Sequence, residues 1–321
     1  MNSLIIGTRG SPLALAQTEI IRGVLLRAHP QLQIESRIIK TSGDQFSNLS
    51  LTVGAGKGLF TKEIEEQLLR GEIHLAVHSM KDLPTILPDG LTIGAVPARA
   101  DARDVFISKR YSSLDELPKG AHVATSSIRR RAQLLSRRPD VQIEEIRGNV
   151  GTRLQKLADN DELDALILAA AGLKRLGYWD GETTQVHVGA DSIRDRSESR
   201  LQTAPTLTCT PLAVEVMIPA VGQGVIGCEV REKDMETQEL LVAVNHADTL
   251  ACAEAERVFL RALGGGCQVP YAAHATVAGE QMRLIGAKFS PDGRDFSRTE
   301  ALGQKSDPHE LGERAARQVL K

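Results

Sequence analysis

One cysteine of this 321-residue chain stands directly behind three glycines, in Leu263-Gly264-Gly265-Gly266-Cys267-Gln268-Val269-Pro270, with a strand-like run to Val277 after it. A thiol on the most permissive backbone available could carry an attached group through a wide arc. The same pattern also suits a Gly-rich turn in which Cys267 is a small buried hydrophobe. A second concentration of chemistry is Ala76-Val77-His78-Ser79-Met80-Lys81-Asp82-Leu83-Pro84. Here an apolar run ends in polar groups, and Pro84 stops regular structure. Lys81 could bind a carboxylate, and Asp82 could stabilise a cation or move a proton. A polar turn with a local Lys–Asp contact is the plainer alternative.

Three further segments concentrate arginine. In Gly7-Thr8-Arg9-Gly10-Ser11, Arg9 precedes a helix start whose N–H groups, dipole and Ser11 would favour an anion; an ordinary capped helix with a solvated arginine fits equally. Thr125-Ser126-Ser127-Ile128-Arg129-Arg130 puts two guanidiniums in a first helical turn, where they oppose the dipole. They therefore imply a compensating anion, carboxylate or phosphate, unless they form a solvated basic face. Ile146-Arg147-Gly148-Asn149-Val150-Gly151-Thr152-Arg153 repeats the theme, with glycines that allow close backbone approach. Neither it nor Gly54-Ala55-Gly56-Lys57-Gly58-Leu59-Phe60 has P-loop spacing.

These arginines sit in a chain of formal net charge -2, so they imply a small anionic ligand and not a nucleic-acid field. Aromatic content of 3% is too low for base-stacking platforms. Cys209, Cys228, Cys252 and Cys267 have neither metal-ligand nor disulfide spacing, which points to a reducing cytoplasm and no metal site. No apolar run reaches membrane-spanning length, and the first residues read as a strand and not a signal peptide.

The elements that must position these groups alternate strand and helix. Leu4 to Thr8 predicts a strand; Ser11-Pro12 predicts a cap and N1 of a helix with Leu13, Ala16, Ile20, Val24 and Ala28 on one face. Ile34 to Lys40 predicts a strand, Leu59 to Arg70 a helix and Ile73 to His78 a strand, which together imply a parallel sheet. The pattern returns from about residue 104: strands at His122 to Thr125, Val141 to Ile146 and Leu163 to Ala169, helices at Ser127 to Arg137 and Thr152 to Ala158. Two such α/β units facing each other form a cleft, a preferred ligand site. Tyr178 to Leu207 is polar and weakly periodic and reads as a long loop; Val214 to Ile218 reads as a strand. Thr249 to Leu263 predicts a helix, and 268–321 two or three strands with a final helix from His309 to Leu320, a small α+β unit. The expected domains are 1–98 with 218–241, then 104–200 with an insertion at about 178–217, then 245–321.

Taken together the segments resemble hydroxymethylbilane synthase, also called porphobilinogen deaminase. The resemblance runs over nearly the whole chain, through the motifs quoted above and through Ala171-Gly172-Leu173-Lys174-Arg175-Leu176-Gly177 and Pro219-Ala220-Val221-Gly222-Gln223-Gly224. It implies two periplasmic-binding-protein-like α/β domains and a third, cysteine-bearing domain. It implies a cytoplasmic monomer that condenses four porphobilinogen molecules head to tail, with loss of ammonia, and whose product could pass to uroporphyrinogen-III synthase. The chain grows on a dipyrromethane cofactor held as a thioether, and Cys267 matches the attachment cysteine. Asp82 matches the catalytic aspartate, offsetting the azafulvenium-like charge left by ammonia. Lys81, Ser79, Thr125, Ser127, Arg129 and Arg130, with Asp82, match cofactor contacts. Arg9, Ser11, Gln17, Phe60, Arg147, Arg153 and Arg175 match substrate or chain-binding positions, with Phe60 stacking on a pyrrole. Val53 departs from the lysine of some relatives, so that contact is missing or falls to Lys57, in an active-site loop expected near 42–57. The Tyr178 to Ile218 stretch is longer, and the final helix shorter, than the resemblance implies. Two rival classes are a non-catalytic module clamping a carboxylate ligand and a phosphate-handling transferase. The first has no use for Asp82 beside Lys81 or for a thiol on a third domain, and the second wants a metal-binding carboxylate pair or a P-loop.

Overall fold

The computed structural model describes residues 1–45, 60–188, 206–265 and 269–321. Cys267, Val53 and Lys57 lie outside them. The first unit is built from β1 (Ser3–Thr8), α1 (Pro12–Ala28), β2 (Gln33–Ile38), α2 (Ser42–Gln45), α3 (Lys62–Leu69), β3 (Leu75–Ser79) and β4 (Leu91–Ala95). The second holds β5 (Asp104–Ser108), β6 (His122–Ala124), α4 (Ile128–Arg137), β7 (Gln142–Glu144), α5 (Val150–Asp159), β8 (Ala165–Ala169), α6 (Ala170–Arg175), β9 (Gln185–His187) and β10 (Thr206–Pro211). The chain then returns with β11 (Ile226–Arg231) and α7 (Met235–Leu241), and ends in α8 (Ala247–Ala262), β12 (Tyr271–Ala278), β13 (Gln281–Phe289), β14 (Phe296–Gln304) and α9 (Pro308–Val319).

Among the described residues the strands form three sheets, ordered β2-β1-β3-β11-β4, β7-β6-β8-β5-β10-β9 and β12-β13-β14. The expectation of parallel sheets is corrected. β1 runs parallel to β2 and β3, but β11 is antiparallel to both β3 and β4. Likewise β6 is parallel to β7 and β8, while β5 is antiparallel to β8 and β10. The returning strand enters the first sheet from the far side of the second unit, and that reversal cannot be read from local periodicity. The result is a pair of mixed α/β units with a separate α+β unit, in which α8 and α9 cover one face of an antiparallel meander. The two segments that cross between the first units are tied together, Ala100 N donating to Gly224 O at 3.1 Å.

Four local expectations change. The buried face of α1 is Ala14, Gln17, Thr18, Ile21 and Leu25, and Ile20 is 40% exposed. The stripe Leu13-Ala16-Ile20 lines the cleft instead of the core. The Tyr178 to Leu207 stretch is not one loop, because Trp179, Val186, Val188 and Leu207 are buried in the second unit's core and β9 pairs with β10. Residues 189–205 lie outside the described set. Val214 to Ile218 is a turn, not a strand: Val216 N and Met217 N both donate to Ala213 O, and Ile218 N to Gln133 Oε1 at 2.8 Å. The start of the expected 42–57 loop is also ordered as α2, with Ser42 N donating to Glu63 Oε1 at 2.9 Å.

Candidate active site

The strand ends of the first two sheets meet at a cleft of about 2430 Å³, larger than the several hundred Å³ of most small-molecule sites. Its described lining carries Arg9, Lys81, Arg129, Arg130, Arg147, Arg153, Lys156, Arg175 and Arg257 against Glu19, Asp82, Glu145 and Asp159. A neutral chain therefore concentrates positive charge in one cavity, which attracts and focuses anions.

From β1, Arg9 lays its guanidinium 4.2 Å from the centroid of the Phe60 ring. Ser11 caps α1, its Oγ accepting from Ala14 N at 3.3 Å, and Pro12 follows at N1. Gln17 faces the sheet and donates to Ser79 Oγ at 2.8 Å, so α1 and the end of β3 are locked together. Beyond Ser79 the chain makes one 3-10 turn, Met80–Asp82. Met80 is buried beneath it, Asp82 is exposed and lines the cleft, and Lys81 stands between them. Burial pushes Lys81 down from 10.5 to about 8 despite the opposing attraction of Asp82. The turn is held from outside the unit by Arg257 of α8, which donates to Pro84 O at 2.7 Å.

Across the cleft, Ser127 caps α4, and buried Thr125 accepts from Ser127 N at 3.2 Å. Arg129 and Arg130 are buried, and here the expected compensating anion is supplied in part by the chain itself. Asp104, fully buried at the head of β5, accepts Arg129 Nη2 at 2.7 Å and Arg130 Nη2 and Nε at 2.8 and 3.1 Å. Burial alone would raise the Asp104 carboxyl, but the two guanidiniums and their hydrogen bonds outweigh it and hold the group at about 2. Burial also draws Arg129 down, yet a guanidinium with so high an intrinsic pKa stays charged. Two positive charges thus face one negative charge, and a surplus remains.

Arg153 and Arg175 are treated differently. Arg153 Nε donates to Gly148 O at 2.8 Å and Arg175 Nη2 to Gly224 O at 2.7 Å. Among the described residues no carboxylate pairs with either, and burial lowers both, Arg175 to about 10. Arg147 lies on Glu145, its Nε donating to Oε1 at 2.9 Å. Every expected site residue among the described ones therefore borders or underpins this one cleft. Sequence reasoning missed Asp104, Gln223 and Arg257. An aspartate heading the apolar run Val105 to Ile107 was a readable signal for Asp104; Gln223 lay within the Pro219 to Gly224 motif without a role, and nothing local marked Arg257.

Residues 4–239 match a family model described as porphobilinogen deaminase, dipyromethane cofactor binding domain, and residues 250–321 one described as porphobilinogen deaminase, C-terminal domain. The chain belongs to the porphobilinogen deaminase family. It is 44% identical over 317 residues to porphobilinogen deaminase of Macrococcus caseolyticus, covering 99% of this chain and 94% of that one. The Acidithiobacillus ferrooxidans porphobilinogen deaminase is 47% identical over 311 residues, covering 97% and 92%. Among solved structures, the methionine-binding protein MetQ aligns with a TM-score of 0.42 at 15% identity, over 80% of this chain and 95% of that one. The chain is accordingly a transferase of tetrapyrrole synthesis that condenses porphobilinogen, with loss of ammonia, on a dipyrromethane cofactor.

The cleft suits such a group. A dipyrromethane and the chain built on it present a carboxylate pair on every ring, and the cleft offers desolvated guanidiniums with no described carboxylate of their own. When bound, the cofactor supplies the nucleophilic pyrrole on which the product is assembled.

Proposed function

We propose that Asp82 is the catalytic group of this porphobilinogen deaminase and that the surrounding cations hold carboxylates. The observation that carries the reading is an exposed carboxylate, Asp82, in a cleft whose described lining holds more cationic than anionic side chains, two of the cationic ones buried. Lys81, Arg129 and Arg130, with Ser79, Thr125 and Ser127, would hold the carboxylates of the cofactor. Arg9, Ser11, Gln17, Phe60, Arg147, Arg153 and Arg175 would bind porphobilinogen and the growing chain, Ser11 and Gln17 through the helix end they fix. Asp82 faces the positive charge that develops on the substrate methylene as ammonia leaves. A carboxylate about 4 Å from a unit charge, at an effective dielectric near 20, contributes about 4 kcal/mol, or roughly a thousandfold in rate.

Cys267 would carry the cofactor. Support comes from the other three thiols: Cys209, Cys228 and Cys252 are buried, and desolvation pushes each up to about 12, which leaves them inert. We read the domains as 1–98 with 218–241, 104–200 with an insertion at about 178–217, and 245–321; β9 and β10, which extend the second sheet, fall within that insertion. We read the protein as a cytoplasmic monomer whose product is handed to uroporphyrinogen-III synthase; no described helix is long and apolar enough to cross a membrane.

Single-turnover ammonia release from cofactor-loaded enzyme tests the role of Asp82. Asp82→Glu keeps the charge and moves it by one methylene; Asp82→Asn keeps the shape and removes the charge. Turnover should fall in the order Asp, Glu, Asn, with the Asn enzyme roughly a hundredfold to a thousandfold slower. Equal rates for the two variants would make Asp82 a positioning residue. Intact mass of wild type and Cys267→Ser tests the thioether, the serine protein being folded, bare and inactive.

A further inference from the structure

The segment Gly222-Gln223-Gly224 has no task in the reading above, yet it touches two of the cleft's cation positions and the counter-ion of two more. Gly222 sits at φ +70° against the turn that bears Lys81; a Cβ there would lie 2.6 Å from Met80 Cγ and 3.3 Å from Lys81 N. Gly224 O accepts Arg175. Between them the Gln223 side chain is buried, and its amide donates to Asp104 Oδ1 at 2.9 Å and to Ala102 O at 2.7 Å. Both partners are acceptors, so the amide can point only one way. Its own Oε1 is left without a partner among the described residues. A group kept there for stability alone would not strand a buried acceptor.

Charge explains the choice of an amide. Asp104 bridges Arg129 and Arg130, and that set of three carries one surplus positive charge. A carboxylate at 223 would set an acceptor against two acceptors and a like charge against Asp104, and when ionised would cancel the surplus. An apolar side chain would leave Asp104 held by the arginines alone and free to follow them. The neutral donor fixes the counter-ion without neutralising the pair. The other charges nearby are Arg99, whose Nε donates to Gln223 O at 2.9 Å, Glu256, which accepts from Gly222 N at 2.7 Å, and Lys81.

We propose that Gln223 is a positioning residue for carboxylate binding, acting through Asp104 on Arg129 and Arg130. This rests on those two arginines being the cofactor-carboxylate site. Two variants test it. Gln223→Asn stays neutral but shortens the reach by one methylene. Gln223→Glu keeps the size and brings a charge. The readouts are cofactor loading by intact mass, KM and kcat for porphobilinogen on the loaded fraction, and the melting temperature. In the Glu variant a carboxyl oxygen replaces the donor that lies 2.9 Å from Asp104 Oδ1 and 2.7 Å from Ala102 O, so it should melt lower than wild type; its loading should fall by more than half and its KM rise at least tenfold, with a smaller change in kcat for the folded, loaded fraction. The Asn variant should shift loading and KM in the same direction by a few-fold. If Gln223 only fills space, the Glu variant keeps wild-type loading and KM and the Asn variant changes only the melting temperature; that pattern overturns the proposal. Arg129→Leu separates the underlying assumption: full loading in that variant sinks the carboxylate assignment itself, whatever Gln223 does.

Discussion

Two pairs of arginines line the same cleft and are built for opposite ends. Arg129 and Arg130 reach inward to a buried aspartate and tie β5 to α4. Arg153 and Arg175 are also desolvated, but they rest on backbone carbonyl groups and meet no described carboxylate. The first pair is part of the protein's own structure and carries one positive charge more than its aspartate. The second pair is disfavoured by burial and meets no carboxylate among the described residues, so in the proposed reading a carboxylate ligand supplies its counter-ion. One residue type thus serves both stability and binding, and the location of the nearest carboxylate decides which.

The sharpest way to break this comparison is to remove the shared counter-ion. Asp104→Ala should destabilise the fold by about 3–5 kcal/mol, because it strands two buried guanidiniums. Urea denaturation checks it, and a loss below about 1 kcal/mol would mean the pair is not structural. Asp104 also sets an acid limit. Its folded-state value lies below the usual 3.8, so its contribution is present above that pH and is lost as pH falls toward about 2. Arg130→Leu should combine both defects, reduced stability and mostly cofactor-free protein by mass.

Arg175→Leu should behave in the opposite way. Stability should be unchanged or higher, since a desolvated charge is removed, while KM for porphobilinogen rises roughly tenfold to a hundredfold, the worth of a charge-assisted hydrogen bond of about 1.5–3 kcal/mol. A variant that instead unfolds early would place Arg175 with the structural pair.

A smaller effect concerns Lys81 in cofactor-free protein. The unfolded lysine keeps its proton to about 10.5, while the folded one releases it at about 8. Between those values the unfolded state binds more protons, so stability should rise with pH across that window. Lys81→Met should remove the slope, and so should cofactor loading if a bound carboxylate restores the lysine. Melting temperatures at pH 7, 8, 9 and 10 measure it. The smallest effect should come from excising residues 190–204. His187 and Thr206 are register partners in adjacent antiparallel strands, so a short turn can join them. Turnover within about twofold of wild type is expected; a large loss would give that segment a part in the cleft.

Local chemistry was enough to pick out many residues of the candidate site. The polar ends of apolar strands, the Ser11 and Ser127 caps and the clustered arginines are all consequences of near-neighbour sequence, and the structure brings the described ones to one cavity. The α1 stripe shows where local reading stops. Leu13, Ala16 and Ile20 have helical spacing whether they face a core or a cleft, and only the placement of the second unit makes theirs a cleft face. Trp179 and Val186 looked like loop residues because their partners, Leu168 among them, lie elsewhere in the chain.

What the sequence determined by itself was the β-α-β-α-β run of each of the first two units, the two long C-terminal helices, the Ser11 and Ser127 caps and the chemical character of the strand ends, because these depend on residues within a turn or two. Tertiary structure alone decided the pairing of charges. Asp104 lies 25 residues from Arg129 and 119 from Gln223, and the antiparallel return of β11 brings together segments that no periodicity connects. Whether a guanidinium is a brace or a binding group depends on its distance to a carboxylate and on the water excluded around it, and both are properties of the folded chain.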